Sequence, residues 1–273
     1  MLASGAPVVR AGDYNVMPAA IDVYKPERWE DDALFRPEVR EAYAMLLQQG
    51  WTDAIRTLYK DTPAMMHSID FHAARIAPNV AFRNVAPGES FTFEFVAGTP
   101  GVYMYHCATG PMLHHLGMGM YGMIVVDPAT PRPPAQEVFL VQSEFYGKVK
   151  GGYLHSSYEA MQSGSPAMVV FNGRSYRYAL NPIQVGVGEP VRIFFLDAGP
   201  SLFSAFHVVG TIFDSYEHDG IPDEAIHDVS TQVIAPGGAG VFELSFPEAG
   251  SYPFVSHSVI DMDRGAMGMF EAS

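Results

Sequence analysis

Two stretches of this chain repeat one another: PGESFTFEFVAGTPGVYMYHC at 87–107 and PGGAGVFELSFPEAGSYPFVSH at 236–257. Each runs from a Pro-Gly turn through alternating apolar residues and a Gly-x-Tyr to a histidine. Alternation of period two belongs to half-buried strands. A weaker echo pairs VVRAGDYNV with IQVGVGEPVRIFF, so each half reads as one copy of the same β-sandwich. From about residue 80 onward, short runs such as SFTFEFVAG, GVYMYH, YGMIVVDP, QEVFLVQSEF, MVVFNG and PVRIFFLDAG alternate with Gly and Pro punctuation. That spacing predicts an all-β fold of two tandem Greek-key sandwiches.

The boundary is expected at PATPRPPAQ, residues 128–136, a proline-rich stretch without periodicity that suits a stiff exposed connection. It separates a first domain, 1–127, from a second, 137–273. Residues 17–62 break the β pattern: WEDDALFRPEVREAYAMLLQQGWTDAIRTLYKD has apolar residues near helical spacing, with Pro37 suited to a first turn and Gly50 to a stop. Two helices are expected there, at about 37–49 and 52–60.

Acidic residues outnumber basic ones 30 to 16, for a net charge of −14. Such a surface repels nucleic acid and anionic headgroups and favours a cationic electron donor. The single cysteine excludes an internal disulfide framework and leaves an inert buried thiol or a ligand. No run of 18 uninterrupted apolar residues is present, so no membrane insertion is expected, and MLASGAPVVRAG carries no visible export signal.

Seven of the ten histidines and the cysteine fall in four short segments: MMHSIDFHAA, YMYHCATGPMLHHLGMGMYG, SAFHVVG and FVSHSVI. A thiolate, two imidazoles and a distant thioether make the ligand set of a blue-copper centre. Cys107, His67, His115 and Met120 can supply it, three of them from a loop that leaves one strand at Cys107 and returns at Met120. His67 and His72 are an odd five residues apart, so an extended strand would send them to opposite faces and feed two metals. Asp70 shares a face with His72, where a carboxylate could relay protons or orient a ligand. His72 and His106 then need a third imidazole to form a second, open site, and both His257 and His207 are candidates. Strand-like alternation would turn His114 away from His115, while His155, His218 and His227 lie in polar, turn-rich stretches and read as surface residues.

With HSIDFHAA, YHCA, the eight-residue step to His115, GMYGMIVVDP, FHVVGTIFD and SHS in this order, the chain resembles the copper-containing nitrite reductases and the related two-domain multicopper oxidases. Those proteins are built of two cupredoxin domains. The resemblance implies that His67, Cys107, His115 and Met120 hold a type 1 copper and that His72, His106 and His257 hold a type 2 copper. It further implies that Asp70 and His207 are the catalytic aspartate and histidine, and that the type 2 site lies between subunits of a homotrimer, with His257 coming from the neighbour. The helical stretch stands where that family has opening strands.

The expected activity is one-electron reduction of nitrite, or another small oxidant, to nitric oxide, with an external donor such as a small redox protein and an extracytoplasmic location, most naturally the periplasm. Val209, two residues past His207, should wall the pocket. A two-domain oxidase that reduces oxygen is the first alternative, although the chain has none of the His-x-His pairs a trinuclear site draws on. A blue-copper electron carrier with a vestigial second site is the other.

Overall fold

The computed structural model describes residues 36–48, 66–86, 89–151 and 153–273. Helix α1 spans Pro37–Gln48, with proline at its start and Glu38 in its first turn, where a fixed φ and a negative charge both favour initiation. The second expected helix, 52–60, and the VVRAGDYNV echo lie outside the described residues.

Among the described residues the strands form four sheets. The first holds β1 (Asp70–Phe71), β2 (Gly101–His106) and β3 (Tyr121–Val126), with β2 in the middle. In chain order there follow β4 (Gln136–Phe145), β5 (Gly147–Lys150), β6 (Tyr153–Ser156), β7 (Met168–Phe171), β8 (Ile183–Val185) and β9 (Val191–Asp197). The rest are β10 (Ser204–Val208), β11 (Phe213–His218), β12 (Ala225–Val229), β13 (Thr231–Ile234), β14 (Ala239–Leu244), β15 (Gly250–Ser256) and β16 (Met267–Ala272). A six-stranded sheet runs β12-β11-β14-β9-β4-β7 and a five-stranded one β13-β10-β15-β16-β8, while β5 and β6 form a separate hairpin.

Strand β9 explains how these layers stack. Every residue of VRIFFLD is buried, the signature of a strand covered on both faces. Ile193 and Phe195 enter a core with Phe206, Phe242, Phe254 and Phe270, between the six- and five-stranded sheets. Phe194 and Leu196 point the other way and pack on Val102 and Met104 of β2, with Tyr121, Met123 and Val125 of β3 alongside. The small sheet that carries the metal-ligand candidates thus rests on the outer face of the large one. At about 25 cal/mol per Å² of apolar area removed from water, this continuous apolar stack is the main source of stability.

The proline-rich stretch is pinned rather than loose. Arg132 donates to both Glu217 carboxylate oxygens, at 2.7 and 2.6 Å, and the Arg192 guanidinium donates to the Pro133 carbonyl at 2.8 Å. FTFEF departs from expectation. Phe91, Phe93 and Phe95 keep their alternation and stack on one side, yet the segment joins no ladder among the described residues. A period-two pattern fixes which side chains share a face, but a strand also requires a neighbour to bond to.

Candidate metal centres

Strand β2 ends at His106, flanked by Asp70 of β1 on one side and Tyr121 of β3 on the other. At the next residue the chain leaves the sheet. The loop that follows is closed at its base, where the Cys107 N–H donates to the Met120 carbonyl at 3.0 Å and the Met120 N–H donates to the His115 carbonyl at 3.2 Å. Between them lies helix α2 (Met112–Gly117), which packs against α3 (Tyr158–Gln162). Gly117 permits that contact, since a Cβ there would stand 2.8 Å from the buried Met161 Cε. His114 turns toward Tyr158, with ring centroids 5.9 Å apart. The expectation that strand alternation separates it from His115 is corrected: the two diverge because they sit on successive positions of a helix.

Cys107 and His115 are each only 4% exposed. The Cys107 Sγ lies 3.4 Å from His115 Nδ1 and 3.6 Å from His67 Nδ1, and the two rings meet edge to face at 5.1 Å. His67 is held by a pair of backbone bonds with Val85, at 3.1 and 2.7 Å. Met120 is half-buried and joined through its backbone to both Cys107 and His115.

Five residues after His67, His72 belongs to a different group. Its Nε2 lies 3.1 Å from His106 Nε2, with the rings nearly perpendicular, and Asp70 Oδ2 is 3.9 Å from the same His106 nitrogen. His106 Nδ1 lies 3.1 Å from the Cys107 carbonyl, which can only accept, so Nδ1 carries the proton and Nε2 keeps its lone pair. Among the described residues, His67, Cys107, His115 and Asp70, His72, His106 form two compact groups of potential metal ligands.

His207 and His257 do not join either group within one chain. They face each other from β10 and the end of β15, with ring centroids 5.6 Å apart, and the His257 N–H donates to the Ala205 carbonyl at 2.6 Å. The Ser230 carbonyl accepts from His207 Nδ1 at 2.6 Å, which leaves His207 Nε2 free. His257 is exposed, as are Val209 nearby and Val259 and Ile260 in the helix that follows.

Burial sets the electrostatics. Desolvation lowers the pKa of His67, reinforced by His115, and that of His115, reinforced by His114. It lowers His72 as well, with His106 as the next cause, against smaller upward pulls from Asp70 and a hydrogen bond to the Gly237 backbone. Three imidazoles are thus kept neutral with lone pairs available.

Several supporting residues carry no signal in the sequence. Ser68 Oγ accepts from the Ala108 N–H at 3.1 Å, and the Thr109 hydroxyl donates to Asn84 Oδ1 at 2.9 Å, steadying the turn after Cys107. Ser230 and Thr231 flank His207. Only the tertiary arrangement brings such ordinary polar residues to a ligand's side.

Comparison with known proteins assigns the lineage. The multicopper oxidase family profile matches residues 57–130. A copper-containing nitrite reductase of Neisseria meningitidis is 35% identical over 229 residues, covering 80% of this chain and 59% of its own length. The chain therefore spans about three-fifths of that curated relative. The solved copper nitrite reductase of Nitrosomonas europaea superposes with a TM-score of 0.72 at 33% identity, covering 78% of this chain and 76% of that one. This chain belongs to the copper nitrite reductase and multicopper oxidase family. A solved multicopper oxidase is also similar, with a TM-score of 0.68 at 28% identity over 77% of this chain and 71% of its own.

The donor atoms fit the metal of the copper nitrite reductase and multicopper oxidase family. At Cys107 one thiol sulfur and two imidazole nitrogens converge at 3.4 and 3.6 Å, and a thiolate with two imidazoles is the donor chemistry that would hold copper. In the second group the Nε2 atoms of His72 and His106 face each other at 3.1 Å with the Asp70 carboxylate beside them, so that two imidazoles and an oxygen converge as the donors of one cation would.

Proposed function

We propose that this chain is a copper-dependent oxidoreductase that reduces nitrite by one electron to nitric oxide, with one type 1 and one type 2 copper per subunit. The observation that supports this reading most is the division at His106 and Cys107, where neighbours in the chain serve two different donor groups. His67, Cys107, His115 and Met120 would hold the type 1 ion; His72, His106 and the His257 of a neighbouring copy would hold the type 2 ion. Copper, when bound, supplies one-electron redox chemistry at both places and Lewis acidity at the open one. The peptide between His106 and Cys107 is the shortest covalent connection between the two donor sets.

Reduction of nitrite takes up one electron and two protons and releases nitric oxide and water. Asp70, beside His106, and His207, whose Nε2 is free, are the groups that hold those protons. A closed homotrimer accounts for both incomplete halves. Each subunit's exposed His257 and its companion His207 would meet the next subunit's Asp70, His72 and His106, and the ring closes with three complete sites. The electron comes from an external donor, and the excess of acidic groups favours a cationic redox protein. Among the described residues no helix is long and apolar enough to cross a membrane. An extracytoplasmic, periplasmic location completes the proposal.

The similarity to a solved multicopper oxidase supports oxygen reduction as a second reading. One experiment separates the two. Copper-loaded protein given a reduced dye and nitrite without oxygen should evolve nitric oxide; an oxidase would instead consume oxygen and leave nitrite untouched, and an electron carrier would do neither.

A further inference from the structure

We infer that Asp197, a buried carboxylate in neither ligand group, is a positioning residue that ties the two half-sites carried by one chain, each completing a different open copper site, to one point in the fold. The inference rests on reading Asp70, His72 and His106, with the His207 and His257 pair of a neighbouring copy, as that site.

Asp197 is the last residue of β9 and has no exposed surface. Its main chain holds the turn between β13 and β14. The Gly237 N–H donates to the Asp197 carbonyl at 2.7 Å, and the Asp197 N–H donates to the Gly238 carbonyl at 3.0 Å. That turn is pressed against a ligand. Gly237 adopts φ +80°, a conformation suited to glycine, and a Cβ on it would stand 3.4 Å from His72 Cε1.

The side chain of Asp197 holds the other half. One carboxylate oxygen accepts from the Gly199 N–H at 3.0 Å and the other from the Ser204 N–H at 2.9 Å. Ser204 opens β10 and is locked a second time, its hydroxyl donating to Gln142 Oε1 at 2.7 Å. The next residue, Ala205, offers the carbonyl that accepts from His257, and His207 stands two positions further along the same strand. A shift at Asp197 therefore moves His72 through Gly237, and His257 and His207 through Ser204. None of these bonds involves His67, Cys107 or His115. In a closed ring each chain gives one half to each of two neighbouring sites, so the separation of its two half-sites must be fixed for all sites to close, and a common anchor supplies that.

The test uses the full copper-loaded chain and compares wild type with Asp197→Ala and Asp197→Asn. The first removes both acceptors; the second keeps the volume and one of them. Bound copper is counted, type 2 copper is read by its paramagnetic resonance and type 1 copper by its blue absorption. In Asp197→Ala the expected result is a type 2 copper held about 10- to 100-fold more weakly, with the blue band unchanged. Should that variant fail to fold, Asp197→Asn decides, its expected signature being a shifted type 2 resonance beside a wild-type blue band. A type 2 resonance and affinity identical to wild type in Asp197→Asn overturns the inference, as does equal loss of both coppers in a folded variant. A wild-type chain that binds no second copper overturns the reading of the site itself.

Discussion

His72 Nε2 and His106 Nε2 face each other at 3.1 Å, although 34 residues separate them in the chain. The contact is made because β1 pairs with β2 in a register that sets Asp70 opposite His106, and because the His72 N–H then donates to the Met104 carbonyl at 3.0 Å. The backbone ladder brings the two imidazoles together, and the donor atoms they present define what can sit between them.

The Cys107 thiolate is the one anionic sulfur donor of the proposed type 1 set, and its bond to copper would give that site its blue colour. Cys107→Ser should bleach copper-loaded protein while the second ion stays bound, as read by visible absorption with a metal count. An unchanged spectrum would remove Cys107 from the ligand set.

The proposed sharing of sites between subunits makes a prediction that one chain alone cannot satisfy. His72→Ala and His257→Ala should each be inactive when made separately. Co-expressed at equal levels, they should recover roughly a quarter of wild-type activity, because random assembly joins an intact His72 to an intact His257 at one interface in four. No recovery would mean that each site is built within a single chain.

Burial lowers the pKa of His67, His115 and His72 from the ordinary 6.5. The sign follows directly: a lowered value leaves the unprotonated form of these rings in the majority at pH 6.5, so protons compete with metal mainly in more acid solution. Copper retention measured against pH should hold through 6.5 and fall below it. Release that begins well above 6.5 would contradict the neutral ligand set.

Asp70 sits 3.9 Å from His106 Nε2 and is about one-third exposed, close enough to the open donors to hold a proton for the substrate. Asp70→Asn should leave both coppers bound and lower turnover by about 10²- to 10⁴-fold, the range of a lost general acid. Steady-state rates with a parallel metal count check it, and loss of the type 2 ion in this variant would reassign Asp70 to a purely structural part.

Phe206 is fully buried between the two larger sheets and contacts the rings of Phe195, Phe213, Phe242 and Phe254. Phe206→Ala should cost about 3–5 kcal/mol of stability, the usual range for emptying such a position. Because Phe206 neighbours His207 on β10, the same cavity should loosen the second half-site. Chemical denaturation gives the first effect; a stability change under 1 kcal/mol would mean that the aromatic cluster repacks.

Much of this architecture was legible in one dimension. The repeated Pro-Gly to Gly-x-Tyr stretches predicted paired sheets, and β2 and β15 end next to or at the histidines those repeats point to. The odd spacing of His67 and His72 predicted opposite faces of one strand; the two do fall in separate groups, although only Asp70–Phe71 between them is strand. Both inferences rest on strict alternation along a strand, which is a local property. The same logic failed at His114, where the chain turns helical, and at FTFEF, where alternation persists without a ladder.

What the sequence by itself determined is which donors exist, how they alternate, and that His106 and Cys107 must part company because adjacent side chains at a strand end point apart. What only the tertiary structure decided is which of the remaining imidazoles meet. His72 was brought to His106 by sheet register, and His207 to His257 by the pairing of β10 with β15. Gly237 and Asp197 came to stand behind those ligands through contacts between segments up to 165 residues apart, from His72 to Gly237. Contacts of that span depend on how whole sheets stack, and no local pattern of residues encodes them.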